Sequence, residues 1–328
     1  FHRKFGGNRM RKRPLKPWHG VVFFVFIMVV FFLVCVPMQM YWGMYGLAAT
    51  EILILILSLL FTKIMGFSFQ TIFPIKLPEF LPLLGTLILW GSGYLITLVV
   101  MLVQYRLFPV QMTQISGGMN QVIFSVPFLL SFLIVAILPA ICEEAVHRGV
   151  ILHTMYSVRR EWMVVLIMGI YFGLFHSDPL RFLPTAILGA LMSYIMLETE
   201  NMVYSSFFHF VNNFLPLLLS LLMTGMDTSR QVQQAQELLN NGTEMVIPIA
   251  SIGIYMILAA AAPFGLYLGN YLLHYKKGIT RSFIPRQSSW KTILKIVIPT
   301  VLLFGMGMLL FLGGILFDPA FRTMMGGF

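Results

Sequence analysis

The chain has 328 residues, 58% of them hydrophobic and only 10% charged, with a net charge of +10. A soluble domain is about one-quarter charged, so this composition excludes a soluble globular protein. It marks an all-α, polytopic helical membrane protein. The apolar runs are near-continuous and about 17 to 25 residues long, the length of a bilayer-crossing helix, whereas a barrel would show short alternating segments.

Taken in chain order, a basic head comes first: Arg3, Lys4, Arg9, Arg11, Lys12, Arg13 and Lys16 precede the first apolar run. The chain begins at Phe1 and is read as processed or as a fragment, with no small-residue cleavage site of a secretory signal. Helices are expected near 20–41, 46–64, 81–106, 122–157, 161–176, 181–198, 202–223, 249–275 and 291–316, which gives about 8–9 transmembrane helices. Pro139 falls inside the fourth segment and predicts a kink there. A short amphipathic helix is expected in the 224–247 loop. Four stretches follow: a basic cytoplasmic tail over 1–19, N-terminal transmembrane helices over 20–119, a central transmembrane core over 120–225, and an extracytoplasmic loop with C-terminal transmembrane helices over 226–328.

The positive charge is distributed by loop. Lys63, Lys76, the turn at 157–161 and the basic loop at 275–291 fall on the same side as the N-terminus. That is the positive-inside pattern, which places the N-terminus in the cytoplasm and suits contact with anionic lipids. Arg106 and Arg181 are lone basic residues at outer helix ends. Nucleic acid is not expected as a partner, and the oligomeric state is left open. Cys35 and Cys142 both sit in or beside apolar runs, so they are read as packing residues rather than a disulfide.

Three polar clusters interrupt the apolar helices. The first is Glu143, Glu144, His147 and Arg148; the second ends "YFGLFH" at His176; the third is "HFVNN", with His209, Asn212 and Asn213. Ionisable groups at membrane depth are costly and usually face a cavity or each other. Glu143 lies about 16 residues before the turn near Arg159 and His176 about 17 after it, so both stand about 25 Å from that turn. His209 and Asn213 stand roughly 14 and 20 Å beyond the next turn. With part of the first hairpin projecting into the cytoplasm the difference narrows, and the four can meet at one level. Glu144 and Arg148 are spaced i,i+4 for an ion pair, which leaves Glu143, about 100° away around the helix, free for another task. An unpaired carboxylate, two imidazoles and an amide at one cavity can activate water and stabilise an oxyanion. Each piece also has a plainer reading. The Glu–Arg pair can be a structural lock, His176 an interfacial residue, and the His/Asn pair a helix–helix hydrogen bond. Glu51 is expected at the interface, and His147 and His153 at the interface or behind the site.

These motifs resemble those of the CAAX-protease and bacteriocin-processing (Abi) family of intramembrane proteases. "EEAVHRG" is similar to its EExxxR motif, "FGLFH" to FxxxH and "HFVNN" to HxxxN, in the same order, over about residues 120 to 225. The resemblance implies an intramembrane endopeptidase of the CAAX-processing type. Glu143 would be the general base on a water. His176 and His209 would hold that water or a metal, Asn213 would stabilise the oxyanion, and Glu144 and Arg148 would orient the site. Metal-free chemistry is favoured and no cofactor is expected. Zinc or another divalent metal, if bound, would take Glu143, His176 and His209. There is no HExxH pair, no serine-protease motif and no helical aspartate dyad. The implied partner is a membrane-bound peptide or protein substrate, and the setting a bacterial cytoplasmic membrane. The competing readings are a non-catalytic immunity or scaffold protein and a proton-coupled transporter, the latter without repeat symmetry to support it.

Overall fold

The computed structural model describes residues 15–224, 246–276, 282–284 and 289–324. The basic head, most of the 224–247 loop with its expected amphipathic helix, and most of the basic loop before the last span lie outside them. Among the described residues all regular structure is helical. In order these are α1 (Pro17–Trp42), α2 (Met44–Ile64), α3 (Phe80–Leu107), α4 (Pro109–Ile123), α5 (Phe128–Ser157), α6 (Glu161–Phe175), α7 (Pro179–Thr199), α8 (Met202–Thr224), α9 (Ile249–Ala259), α10 (Ala262–Leu273), α11 (Ser289–Phe317) and α12 (Pro319–Met324).

Eight helical segments are long and apolar enough to cross a membrane, with α9 and α10 counted as one. This is an integral membrane protein. Its surface is inverted relative to a soluble one: Leu33, Met40, Leu129, Leu166, Val301 and Leu309 are exposed, whereas Glu51, Glu143, Glu144, Arg148 and His209 are buried. Two boundaries differ from the sequence expectation. The fourth span starts at Phe128 rather than 122, because the preceding residues form the separate helix α4, which ends in a turn before Pro127. The expected 249–275 helix is broken near Ala260 and Ala261, just before Pro263, which cannot donate a helical hydrogen bond.

α5 is the central element. It packs against α1, α2 and α8, while α6 pairs with α7, and α3 runs between α7, α8, α9 and α10. Small residues let the outer helices come close. A Cβ on Gly253 of α9 would lie 2.4 Å from the Phe311 amide of α11, and one on Gly314 would lie 2.3 Å from the Ala250 amide. Such approaches let dispersion, rather than the hydrophobic effect, join helices in lipid. The extended segment after α2 is stitched to the start of α8. Asn201 accepts from the Lys76 amide and donates to the Lys76 carbonyl, each at 3.1 Å.

At the end of the bundle one carboxylate ties three helices. Asp318 accepts from the Ile249 amide at 2.7 Å and the Ala320 amide at 3.1 Å, and pairs with Arg106 at 3.3 Å. Burial alone would push this carboxyl up, but the two amides and the guanidinium outweigh it and hold it below its ordinary value of 3.8. A depressed native value stabilises the fold above the unfolded value and loses that contribution as pH falls through the native one. We expect the detergent-solubilised protein to lose thermal stability as pH drops below about 4. Asp318→Asn should be less stable than wild type at neutral pH and decline less steeply in the acid window. Parallel curves would show that Asp318 makes no such contribution.

Candidate active site

The site begins with a proline. Pro139 has no N–H to give the carbonyl one turn earlier, that of Val135. The helix adapts by widening: π-helical turns occupy Phe132–Ile137 and Ala145–Ile151, on either side of the α-helical Leu138–Glu144. Such widened turns are frequent at functional sites. The unclaimed Val135 carbonyl accepts instead from Asn213 Nδ2 of α8 at 3.0 Å. Asn213 is fixed from its other end too. Trp90 donates to Asn212 Oδ1 at 3.4 Å, and Asn212 donates to Asn213 Oδ1 at 3.2 Å. An amide nitrogen carries two protons, so one N–H of Asn213 is left for something else.

Glu144 and Arg148 form the expected pair, 2.8 Å apart, with both side chains at 0% exposure. Each has a second partner. Arg148 donates to the Gly189 carbonyl of α7 at 2.8 Å, and Glu144 Oε1 stands 3.1 Å from His209 Nδ1 of α8. Three helices therefore converge on one ion pair. A Cβ on Gly189 would lie 2.6 Å from Phe172 Cβ, so a larger residue would push this carbonyl away from Arg148.

The ring of Phe172, first residue of the "FGLFH" stretch, holds the cluster together. Arg148 lies over its face at 4.6 Å, and the rings of His147, His176 and His209 meet it edgewise at 5.1, 4.9 and 5.5 Å. His147 is completely buried and donates from Nδ1 to the Glu143 carbonyl, 2.9 Å away. It is not interfacial: the widened turn after Glu144 carries it inward against Phe172 and Phe175. α6 rises only about 22 Å, short of the roughly 30 Å hydrocarbon core. It ends in a tight turn with Ser177 at φ 55° and Asp178 capping α7 through the Leu180 amide. His176, with Nδ1 on the Phe172 carbonyl at 2.8 Å, stands at that turn.

Glu143 is 9% exposed, and its Oε2 has no hydrogen-bond partner. The nearest imidazole is His209, with Nε2 at 3.9 Å. Glu144 presents only an acceptor to His209 Nδ1, so in the neutral ring that nitrogen carries the proton. Nε2 then turns its lone pair toward Glu143. Two acceptors 3.9 Å apart suit a water that donates to both. Among the described residues no three His, Cys, Asp or Glu side chains converge as a group able to hold a metal ion. Glu143 and His209 come together, but His176 does not complete a three-ligand set with them.

Sequence reasoning missed three participants. Trp90 anchors the amide chain from α3. Arg181 stands within electrostatic reach of Glu143 and His176. Glu51, read as interfacial, is buried at 3% exposure on the face of α2 that packs against α5. Only Arg181 had a local signal, five residues after His176. The other two are brought in by packing. Cys35 and Cys142 are free and buried, in keeping with a packing role.

Residues 125–215 match the family model described as type II CAAX prenyl endopeptidase Rce1-like. This stretch is similar to the core of the CAAX protease family. Glu143, Glu144, Arg148, His176, His209 and Asn213 all lie within the matched span. The match supports a membrane peptidase of the CAAX type in general terms, and the helices before α5 and after α8 fall outside it. No curated protein and no solved structure matches the chain.

Removing one partner of a buried ion pair leaves the other charge uncompensated, at a cost of about 3–5 kcal/mol. Arg148→Ala should therefore lower the unfolding midpoint in detergent sharply, and Arg148→Lys should recover part of the loss but not the Gly189 contact. An Arg148→Ala protein as stable as wild type would disprove the pairing's structural role.

Proposed function

We propose that the protein is a glutamate-dependent intramembrane endopeptidase that cleaves a membrane-associated peptide or protein. The observation that carries this reading is Glu143 Oε2, buried without a hydrogen-bond partner and 3.9 Å from His209 Nε2, beside a locked ion pair. In this reading Glu143 takes a proton from a water held against His209. The water oxygen bonds to the scissile carbonyl carbon, and the carbonyl oxygen becomes an oxyanion. The spare N–H of Asn213 lies on the correct helix to donate to it, with His176 as a second candidate donor. Glu143 then passes its proton to the departing amine as the C–N bond breaks. Glu144 and Arg148 do not exchange protons. They fix the His209 ring and the register of α5, α7 and α8.

A cavity of about 610 Å³ between α2 and α5 offers an apolar surface. Leu55 and Leu59 of α2 and Ile141 and Ala145 of α5 line it, with Gln70 and Lys76 as its polar residues. Ile141 and Ala145 share the face of α5 roughly opposite Glu143, so a substrate lying there would have to pass around α5 to reach that acid. A chain threaded with Lys63 and Lys76 in the cytoplasm, in a bacterial membrane, would receive its substrate from that side. Signalling peptides, bacteriocin precursors and membrane-protein fragments fit this setting better than a prenylated tail.

The test compares membrane peptides from cells carrying wild-type protein or Glu143→Gln, by mass spectrometry of new chain ends. The amide has the same shape but cannot take the proton, so wild-type-specific ends should vanish while expression and melting temperature hold. Cleavage by purified protein should survive chelation of divalent ions. Identical end profiles from two well-expressed proteins would defeat the protease reading, and loss of activity on chelation would defeat its metal-free form.

A further inference from the structure

Glu51 is a buried carboxylate without an evident structural purpose. It lies in the middle of α2 at 3% exposure, and its Oε2 has no hydrogen-bond partner. Other polar groups on this helix are satisfied locally: Thr50, Ser58 and Thr62 each donate to the carbonyl four residues earlier. A carboxylate has no proton to do the same. It needs a donor from elsewhere, and leaving it unsatisfied costs far more than an unsatisfied hydroxyl.

Its surroundings point one way. α2 packs against the part of α5 that carries Cys142 and Glu143. Glu51 is within electrostatic reach of both residues. Glu143 Oε2 is the other unsatisfied carboxylate oxygen of the pair. Neither Oε2 has a hydrogen-bond partner, the buried Cys142 thiol included. The donor that fits between two acceptors in a packed seam is water, which typically makes about three hydrogen bonds when buried.

We propose that Glu51 is a positioning residue: it holds a buried water against Glu143 and so aims that carboxylate at His209. This rests on Glu143 being the base. The water donates one hydrogen to each acid. Glu143 is thereby pinned from the α2 side, and its remaining lone pairs turn toward the 3.9 Å gap at His209. The site is then completed by a helix outside the family-matched span. Groups that orient a reacting residue from behind typically change activity about 10–100-fold when removed.

Two measurements test this, and they fail separately from the protease reading. In an experimental structure of the wild-type protein at a resolution that shows waters, density should lie within hydrogen-bonding distance of both Glu51 and Glu143. Direct contact of the two side chains, or dry packing between them, overturns the proposal whether or not any substrate has been found. For kinetics, a synthetic peptide spanning the strongest wild-type-specific cleavage site serves as substrate. Glu51→Leu should lower kcat about 10–100-fold with KM little changed. Glu51→Gln, whose amide keeps a hydrogen-bonding group for the water, should recover part of kcat. Both variants should melt at or above the wild-type temperature, because they remove a buried acid whose lost hydration a single water only partly offsets. A Glu51→Leu protein that melts normally and keeps wild-type kcat overturns the proposal while leaving Glu143 as the base. Should Glu51→Leu fail to fold, the kcat of Glu51→Gln and the water density decide the matter.

Discussion

The buried Glu144–Arg148 pair is the constraint from which the rest of the site follows. Two full charges at 0% exposure are tolerable in a low-dielectric interior only if geometry and further hydrogen bonds offset their lost hydration. The fold supplies partners from three separate helices: hydrogen bonds at the Gly189 carbonyl of α7 and the His209 ring of α8, and a cation–π contact with the Phe172 face of α6. No partner can drift without exposing a charge to apolar surroundings. A pair that contributes little net stability therefore contributes position. It sets which nitrogen of His209 faces Glu144 and which faces Glu143.

Position also explains why the acids sit on an irregular helix. In an uninterrupted α-helix, the Val135 carbonyl would be satisfied internally and Asn213 would have no anchor on α5. Pro139 frees that carbonyl, and the flanking π-helical turns accommodate the mismatch. The second widened turn carries His147 and Arg148 into the interior. Backbone irregularity is tolerated at membrane depth where it is buried in protein, and α5, packed on α1, α2 and α8, meets that condition. The local departure from ideal helix is thus coupled to the amide that faces the site.

Much of this was legible in the sequence, and the part that was not has a physical reason. The spans were readable because lipid requires long apolar runs, and the Glu144–Arg148 contact because i,i+4 spacing is local. The meeting of Glu143 with His209 followed from counting residues to the turns. Glu51 was not legible. Eight residues into an apolar run, it resembles an interfacial acid, and only the packing of α2 on α5 shows that it points inward. Trp90 was hidden for the same reason, since its partner Asn212 is distant in sequence. The start of the fourth span was misplaced because the last residues of α4, Val122 and Ile123, are apolar and run on into it. Only the turn at Phe124–Pro127 separates them.

The division between matched core and flanking helices takes on meaning from this. The core spans residues 125–215 and carries all three motifs, but it does not by itself enclose the acids. α1 and α2 cover one side of α5, and α3 contributes Trp90 on the α8 side. A carboxylate acts as a base in a membrane only where lipid is kept away and a water can be held, and both conditions depend on the walls as much as on the motif. Helices that carry no motif of their own can therefore set the chemistry of a site by deciding what reaches it, and in this chain α2 is the wall that stands against Glu143.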